Sequence, residues 1–388
     1  MKKVIFMTMM CLVIIWTPLF ADESIDSIIN KQINVLDLSE PNKAIDQIKE
    51  EEENPYLNQF DIKQTMIDMV TGKQSLSPIK LIKGLMTLTF GEMNVYISLM
   101  GRLIILAIFC TVLSTLSASF GSKSTSEVAF YMCYIVLILA LTESFMVSMN
   151  IAYRTIEQMA TIMQASIPVM VTLLISTGNI ASGSIFQPLV ISTIQIGTAV
   201  IKNAVLPLVF FVSVLQIVSN LSEDFKIDAL VELAYSLIKW ILTGIVTLFV
   251  GIMGIQGLTA PFVDGTLNKA AKSMTSAFVP VVGEALSGTV DLVMNCGVIV
   301  KNSYTVGVII MLLLICTIPL IKVLLCMVAY QLTAAIIEPI SNKRVAQCME
   351  GMGRATGYLL GTLTTVMVLF ILNMLILVGV SNITAMMQ

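Results

Sequence analysis

The sequence predicts an all-α, polytopic helical membrane protein. Of its 388 residues, 56% are hydrophobic and only 12% are charged, and the mean hydropathy is +0.90. Soluble domains carry about 25% charged residues, so most of this chain is expected to lie in lipid. Residues 22–101 hold 13 of the 25 acidic and 7 of the 22 basic side chains. We therefore expect a small acidic region ahead of a multi-spanning membrane domain over residues 102–388.

Residues 1–21 predict a signal peptide. Lys2 and Lys3 precede an apolar run, Val4–Phe20, and Ala21 offers a small residue for cleavage. The alternative is an uncleaved first anchor. With either, the chain from Asp22 onward is expected to begin outside the cytoplasm.

Residues 22–101 predict an exported helical region. Apolar residues from Ile25 to Leu36 recur at the spacing of one helix face. Pro41 and the acidic run Glu50–Glu53 then predict a solvated linker, and a second helix is expected over about 61–71. A third, over 79–100, keeps polar residues and is expected to lie on the membrane surface.

Beyond residue 102, apolar runs predict about seven to eight transmembrane helices, because about 20 residues cross roughly 30 Å of hydrocarbon. The candidates are about 103–120, 128–149, 158–177, 184–201, 204–220, 237–258, 304–323 and 356–380. Lys202 is expected at a tight turn between two of them. The short run 324–340 either continues the preceding span, lines a cavity or dips into the bilayer.

Basic residues in short loops predict the orientation of the spans. Lys343, Arg344 and Arg354 place the loop 341–355 in the cytoplasm. From an exported start, six spans through residue 258 return the chain to the exported side. The span 304–323 then re-enters the cytoplasm and the last span leaves it.

The segment about 265–300 predicts a re-entrant helical hairpin on the exported side. Pro280 and Gly283 interrupt it, and neither arm is long and apolar enough to span. Such breaks are tolerated at membrane depth only where protein shields them or water reaches them. A surface hairpin packed on its neighbours is the alternative.

Two further features are candidates for transport. Pro168 and Pro188 interrupt a second apolar segment, and paired interrupted segments point to a transport site. Glu143 lies inside a predicted span, where a charge costs about 2.5–3.5 kcal/mol. Either a functional role or structural pairing accounts for Glu143 equally well.

Glycines spaced by three or four residues predict close helix packing. One set is Gly353, Gly357 and Gly361, and the other is Gly251, Gly254 and Gly257. We expect them to pack helices within this chain, with a homo-oligomer as the alternative.

The sequence predicts no enzyme. Without histidine there is no Ser-His-Asp triad and no HExxH zinc site, and no P-loop for nucleotides is present. The cysteines lack metal or disulfide spacing, and no basic patch with interleaved aromatics suggests nucleic acid. No catalytic residue, cofactor or metal is expected, and membrane lipid is the surrounding partner.

Four stretches of the chain resemble the stage III sporulation protein AE family. They are SIPVMVTLLISTGNIASGSIFQP, LQIVSNLSEDFKIDALVELAYSLIKW, GIQGLTAPFVDGTLNKAAKSMTSAFVPVVGEALSGTVDLV and AAIIEPISNKRVAQCMEGMG. The resemblance covers nearly the whole chain. Glu284 departs from it, because a second glycine is expected after Gly283.

The resemblance implies a membrane component of a secretion-like channel complex that links mother cell and forespore and is required for late forespore development. It implies the mother-cell (outer forespore) membrane, with the N-terminal region in the intermembrane space. The implied partners are the other stage III sporulation proteins A, including an ATPase, and stage II sporulation protein Q. The alternatives are a secondary transporter or permease using Glu143 and the broken segments, and a structural scaffold for ring-forming partners.

Overall fold

The computed structural model describes residues 25–51, 55–71, 78–120, 123–220, 227–278 and 283–387, and all regular structure in these ranges is helical. The predicted signal peptide and Pro280 lie outside these ranges. The helical class that the sequence predicts is confirmed.

Four short helices come first. They are α1 (Ile25–Val35), α2 (Ser39–Glu51), α3 (Pro55–Asn58) and α4 (Ile62–Val70). Seven helical segments follow: α5 (Pro78–Phe120), α6 (Lys123–Ser176), α7 (Ile180–Val200), α8 (Leu206–Ser219), α9 (Asp228–Phe278), α10 (Gly283–Ile337) and α11 (Lys343–Met387).

The long helices form six rods, because α7 and α8 are joined without a break by a π-helical turn, Ile201–Val205. At 1.5 Å per residue, the 55 residues of α10 extend about 80 Å, more than twice the roughly 30 Å of a hydrocarbon core. Successive rods run antiparallel, and α10 packs along α11, α6 and α5. Much of each rod therefore lies beyond the thickness of a bilayer.

The rods define two ends of the bundle. At one end, Thr111 of α5 shares a 2.9 Å hydrogen bond with Ser341 in the turn between α10 and α11. At the other end, the turn after α6 approaches α10, where Gly297 faces Thr177. Helices α1–α4 pack at this second end, which we call the α1–α4 end.

The apolar face predicted for α1 is confirmed, since Ile29 and Ile33 are buried. The Gln32 Nε2 atom donates to the Val293 carbonyl of α10 at 3.1 Å. In α4, Asp61 caps the helix by accepting from the Gln64 backbone N–H at 3.0 Å. These contacts hold the short helices against the rods.

The solvated linker predicted from Pro41 onward is wrong. Residues 41–51 lie in α2, with Pro41 in its first turn, where a missing N–H costs nothing; Glu52 and Glu53 lie outside the described residues. Ala44, Ile45 and Ile48 are buried on one face of α2. That burial against α6 outweighs the acidic composition of the segment.

Six segments of the described chain are long and apolar enough to cross a membrane, rather than the seven to eight predicted. They are Gly91–Leu113, Phe130–Ser176, Gln187–Ser219, Asp228–Ile255, Leu292–Ile337 and Lys343–Gly379. The difference arises because neighbouring predicted spans merge into single rods.

The tight turn predicted at Lys202 is wrong, and the spans on either side of it form one rod. The Lys202 Nζ atom lies 3.0 Å from the Glu157 carboxylate of α6 and 4.2 Å from the centre of the Tyr153 ring. Glu157 lies between the predicted spans 128–149 and 158–177, which the structure joins into the single helix α6. Lysine and glutamate are good helix formers, so neither ends its helix, and the pair neutralises the two charges between the rods.

Two other predicted boundaries fall inside continuous helices. The run 324–340 continues the preceding span within α10, and Pro319 is buried inside that helix. The predicted surface helix 79–100 and the first span form α5, so the predicted division at residue 101 also falls within a helix.

The arms of the predicted re-entrant hairpin are the ends of two much longer helices. The first arm is the end of α9 and the second is the start of α10, whose apolar part continues to Ile337. The turn itself lies outside the described residues. The predicted order of six spans would also place residues 178–183 on the cytoplasmic side of the membrane. In the structure, the turn at Thr177–Asn179 lies at the α1–α4 end, next to the region predicted to be exported. The structure therefore does not follow the predicted order at this turn.

We predict that Gly353→Leu destabilises the bundle and Gly361→Leu does not. A Cβ at Gly353 would lie 3.0 Å from Gln331 Cγ and 3.4 Å from Tyr330 Cβ of α10, whereas no described residue lies within 4 Å of a Cβ at Gly361. Overpacking at Gly353 should cost about 1–3 kcal/mol of unfolding free energy, measurable by denaturation in detergent. Equal effects at both positions would contradict this packing.

Candidate functional site: a groove and a buried polar column

A groove with a cavity volume of about 550 Å³ lies at the α1–α4 end, between α1, α2 and α6. Its α6 wall includes Pro168 and Ser176, and Lys31 and Glu40 supply charge at its rim. Val35 also lines the groove and is 86% exposed. An apolar groove with a charged rim suits a segment of another protein.

Asp37 shapes the edge of this groove. Its carboxylate accepts hydrogen bonds from the Ser39 hydroxyl and, at 3.0 Å, from the Ser39 backbone N–H. These bonds lower the pKa of Asp37 below its usual value of 3.8, the hydroxyl having the larger effect. The stabilisation is therefore present above that usual value and is lost as the pH falls through the lowered pKa.

Below the groove, the core contains a buried lysine. Lys301 of α10 is fully buried, and its Nζ atom donates to the Val378 carbonyl of α11 at 3.2 Å. Lys301 was not among the predicted site residues, because residues 259–302 were predicted to lie on the exported side. Its place within the long apolar segment Leu292–Ile337 is the signal that could have identified it.

Four more buried residues with polar side chains lie near Lys301 along α6, α10 and α11. The Thr305 hydroxyl donates to the Lys301 carbonyl at 2.9 Å, and the Tyr304 hydroxyl donates to the Ser166 carbonyl of α6 at 3.4 Å. Asn373 lies five residues before Val378 on α11. We call Ser166, Lys301, Tyr304, Thr305 and Asn373 the polar column.

The polar column is incompletely satisfied. The Ser166 hydroxyl and both polar atoms of the Asn373 side chain are buried, and they have no hydrogen-bond partner in the described part of the chain. A buried polar group without a partner costs about 1–3 kcal/mol. Groups of this kind call for ordered water or a polar solute, so the column is a candidate path or gate.

The rods are tied together by charges near the other end. Arg354 of α11 makes a bidentate pair with the Glu232 carboxylate of α9, at 2.5 and 3.1 Å. The Arg354 guanidinium also lies 4.4 Å from the centre of the Tyr235 ring, which stacks on Tyr358. This arrangement joins α9 to α11 and leaves no free charge on Arg354 for a ligand.

The structure does not bring the predicted transport residues together in one site. Glu143 is exposed on α6, outside the polar column, and makes no side-chain hydrogen bond or ion pair within the described ranges. Pro168 lies in the groove, and Pro188 is exposed within α7. Gly283 begins α10 and Glu284 follows it.

The glycine sets behave differently from one another. Gly353 and Gly357 face α10, and a Cβ at Gly357 would lie 3.3 Å from Met327 Sδ. Gly361 faces no residue of the described ranges within 4 Å. Gly251 and Gly254 have nothing within 4 Å in the described chain, contrary to the expected packing within the chain. Gly257 lies in α9.

The rods, their apolar segments and the buried polar core define a polytopic helical membrane protein. A family model for stage III sporulation protein AE matches residues 60–381. Stage III sporulation protein AE of Bacillus subtilis (strain 168) is 32% identical over 328 residues, covering 84% of this chain and 82% of that protein. No solved structure matches the chain. The chain belongs to the stage III sporulation protein AE family, which supports a role in sporulation; neither match names an enzyme.

We predict that Asn373→Leu raises the free energy of unfolding by about 1–3 kcal/mol, because it removes a buried amide that lacks a partner. Thr305→Val is the control, since the Thr305 hydroxyl is satisfied and its loss should be neutral or destabilising. Thermal unfolding of the purified chain in detergent measures both. Destabilisation by Asn373→Leu would show that its amide has a partner.

Proposed function

We propose that this protein is a membrane component of the secretion-like channel complex that links mother cell and forespore. It would lie in the mother-cell (outer forespore) membrane, with α1–α4 in the intermembrane space. The other stage III sporulation proteins A, including an ATPase, and stage II sporulation protein Q would be its partners. Membership of a sporulation family is the observation that carries this proposal.

The shape of the α1–α4 end supports a docking role. Helices α1 and α4 pack on α10, and α2 packs on α6, so the groove between them has walls fixed to the rods. A rigid groove binds a partner at a lower entropic cost than a flexible one. The rods are also long enough to present protein surface beyond the bilayer, where partners can bind.

The polar column supports passage rather than scaffolding alone. Lys301 is fully buried, and ionisable groups in membrane bundles mark pathways and gates. A secondary transporter is the second candidate, favoured by the same lysine. A channel component and a secondary transporter differ in whether they need partners, because a channel component acts only within its complex.

We predict that a photo-crosslinking residue at Val35, inside the groove, captures a stage III sporulation protein A or stage II sporulation protein Q in sporulating cells. The control is Lys63, which is exposed on α4 and does not line the groove. Equal capture from both positions, or none from Val35, would contradict docking at the groove.

We predict that Lys301→Met blocks passage and Lys301→Arg retains part of it. Methionine keeps the length of the side chain but removes its charge and its hydrogen bond to the Val378 carbonyl. The measurements are heat-resistant spore counts and movement of a fluorescent tracer between mother cell and forespore. Protein level and unfolding of the purified variant control for stability.

The outcomes separate the three functions. Normal sporulation by a well-folded Lys301→Met variant would favour a scaffold. Lysine-dependent uptake by the purified chain in vesicles, without partners, would favour a secondary transporter. Loss of tracer movement only in the assembled complex is the result expected for the channel component.

A further inference from the structure

Two opposite charges lie on the outer surface of α5 and α6, and nothing in the proposed function uses them. Arg102 of α5 and Glu143 of α6 are both exposed, and neither side chain has an ion pair or a hydrogen bond among the residues that the structure describes. Elsewhere in the bundle opposite charges do pair, since the Lys322 Nζ atom lies 3.3 Å from the Glu92 carboxylate. We call the outer surface of the two helices around Arg102 and Glu143 the α5–α6 face.

The turn between α10 and α11 marks one edge of the apolar part of these helices. Thr111 of α5 shares a hydrogen bond with Ser341 of this turn. The Arg344 guanidinium, just beyond the turn, lies 5.9 Å from the centre of the Phe130 ring of α6. The apolar segment of α5 ends at Leu113 and that of α6 begins at Phe130. The charged turn and the ends of both apolar segments therefore lie at one level of the bundle.

Arg102 and Glu143 lie at similar depths inside that edge. Arg102 is 11 residues from Leu113, and Glu143 is 13 residues from Phe130. At 1.5 Å per residue these separations are about 17 and 20 Å, near the middle of roughly 30 Å of hydrocarbon. Arg102 also lines a cavity of about 520 Å³ together with Ser144, the residue after Glu143. The two charges therefore share a level at which an unpaired charge is unfavourable.

The surface around the two charges suits the approach of another helix. On α6, Leu139 and Met146 lie on the same face as Glu143 and are 64% and 39% exposed. On α5, Gly101 precedes Arg102, and no described residue lies within 4 Å of the position that its Cβ would take. A small residue on an open helix face lets a second helix approach closely. Charges beside it can then meet a partner directly.

We propose that a second copy of this chain packs on the α5–α6 face, about a two-fold axis along the membrane normal. Rotation about such an axis leaves depth unchanged, so a charge on one copy meets only groups at its own depth on the other. Arg102 of each copy pairs with Glu143 of the other, and one interface forms two ion pairs. Because the two charges are opposite and share one depth, the surface is complementary to itself.

The test is self-association of the purified full-length chain in liposomes at a low ratio of protein to lipid. Energy transfer is measured between copies that carry two different fluorescent proteins at the C-terminus, and an unrelated membrane protein sets the level for chance proximity. Wild-type copies should associate. Arg102→Glu should weaken self-association about tenfold or more, because glutamates then face each other across the interface. Glu143→Arg should do the same, because arginines then face each other.

A mixture of the two variants separates pairing between copies from pairing within one copy. Arg102→Glu copies should associate with Glu143→Arg copies as wild-type copies do, because every facing pair is again opposite in charge. Arg154→Glu is the matched control, since Arg154 is exposed on α6 but lies 11 residues beyond Glu143. It should leave self-association unchanged. Thermal unfolding verifies that each variant is folded, and Arg102→Gln, which adds no repulsion, should weaken association less than Arg102→Glu.

Four results would overturn the proposal. The first is a monomeric wild-type chain, and the second is self-association that neither charge reversal weakens. The third is association restored by both reversals in one chain but not by the mixture, which would assign the pairing to a single copy. The fourth is a purified chain that is monomeric but binds another membrane protein in cells through Arg102. Because the test needs only the purified chain, its failure leaves the proposed function untouched.

Discussion

Burial of one apolar core between the rods is the interaction on which this architecture depends. Ion pairs are accommodated within that packing: Lys202 pairs with Glu157, and the Lys322 Nζ atom lies 3.3 Å from the Glu92 carboxylate. Lysine and glutamate are good helix formers, so these charges do not end their helices. Pairs of this exposure contribute little net stability. Because each opposite charge lies on an adjacent rod, the pairs neutralise charge between helices that are far longer than a bilayer is thick.

The length of the rods determines where the protein can meet partners. A helix of about 80 Å cannot be contained in roughly 30 Å of hydrocarbon, so the bundle extends into water. At one end the four short helices cover the rods, with Ile29, Ile33 and Ile48 buried beneath them. That layer turns the end of a helical bundle into a grooved surface. The two described turns between rods, at residues 177–179 and 338–342, are short and add little irregular structure.

The core differs in how well its polar groups are satisfied. Thr155 and Thr356 donate to the carbonyl four residues earlier, at 2.8 Å in each case, so these buried hydroxyls cost little. Asn373 has no comparable local solution, since both polar atoms of its buried side chain lack a partner in the described part of the chain. Proteins violate the rule of satisfied burial mainly at functional sites.

The sequence by itself determined the helical class, the membrane environment, the apolar face of α1 and the family resemblance, because composition, helical period and long motifs are local properties. Only the tertiary structure decided that predicted spans merge into rods, that Gly251 faces open space while Gly353 faces α10, and that Lys301 is buried. The physical reason is the same for each. Whether a charge is paired, a glycine packs or a lysine is buried depends on the residue opposite it in space, and that residue lies on another rod, far away along the chain.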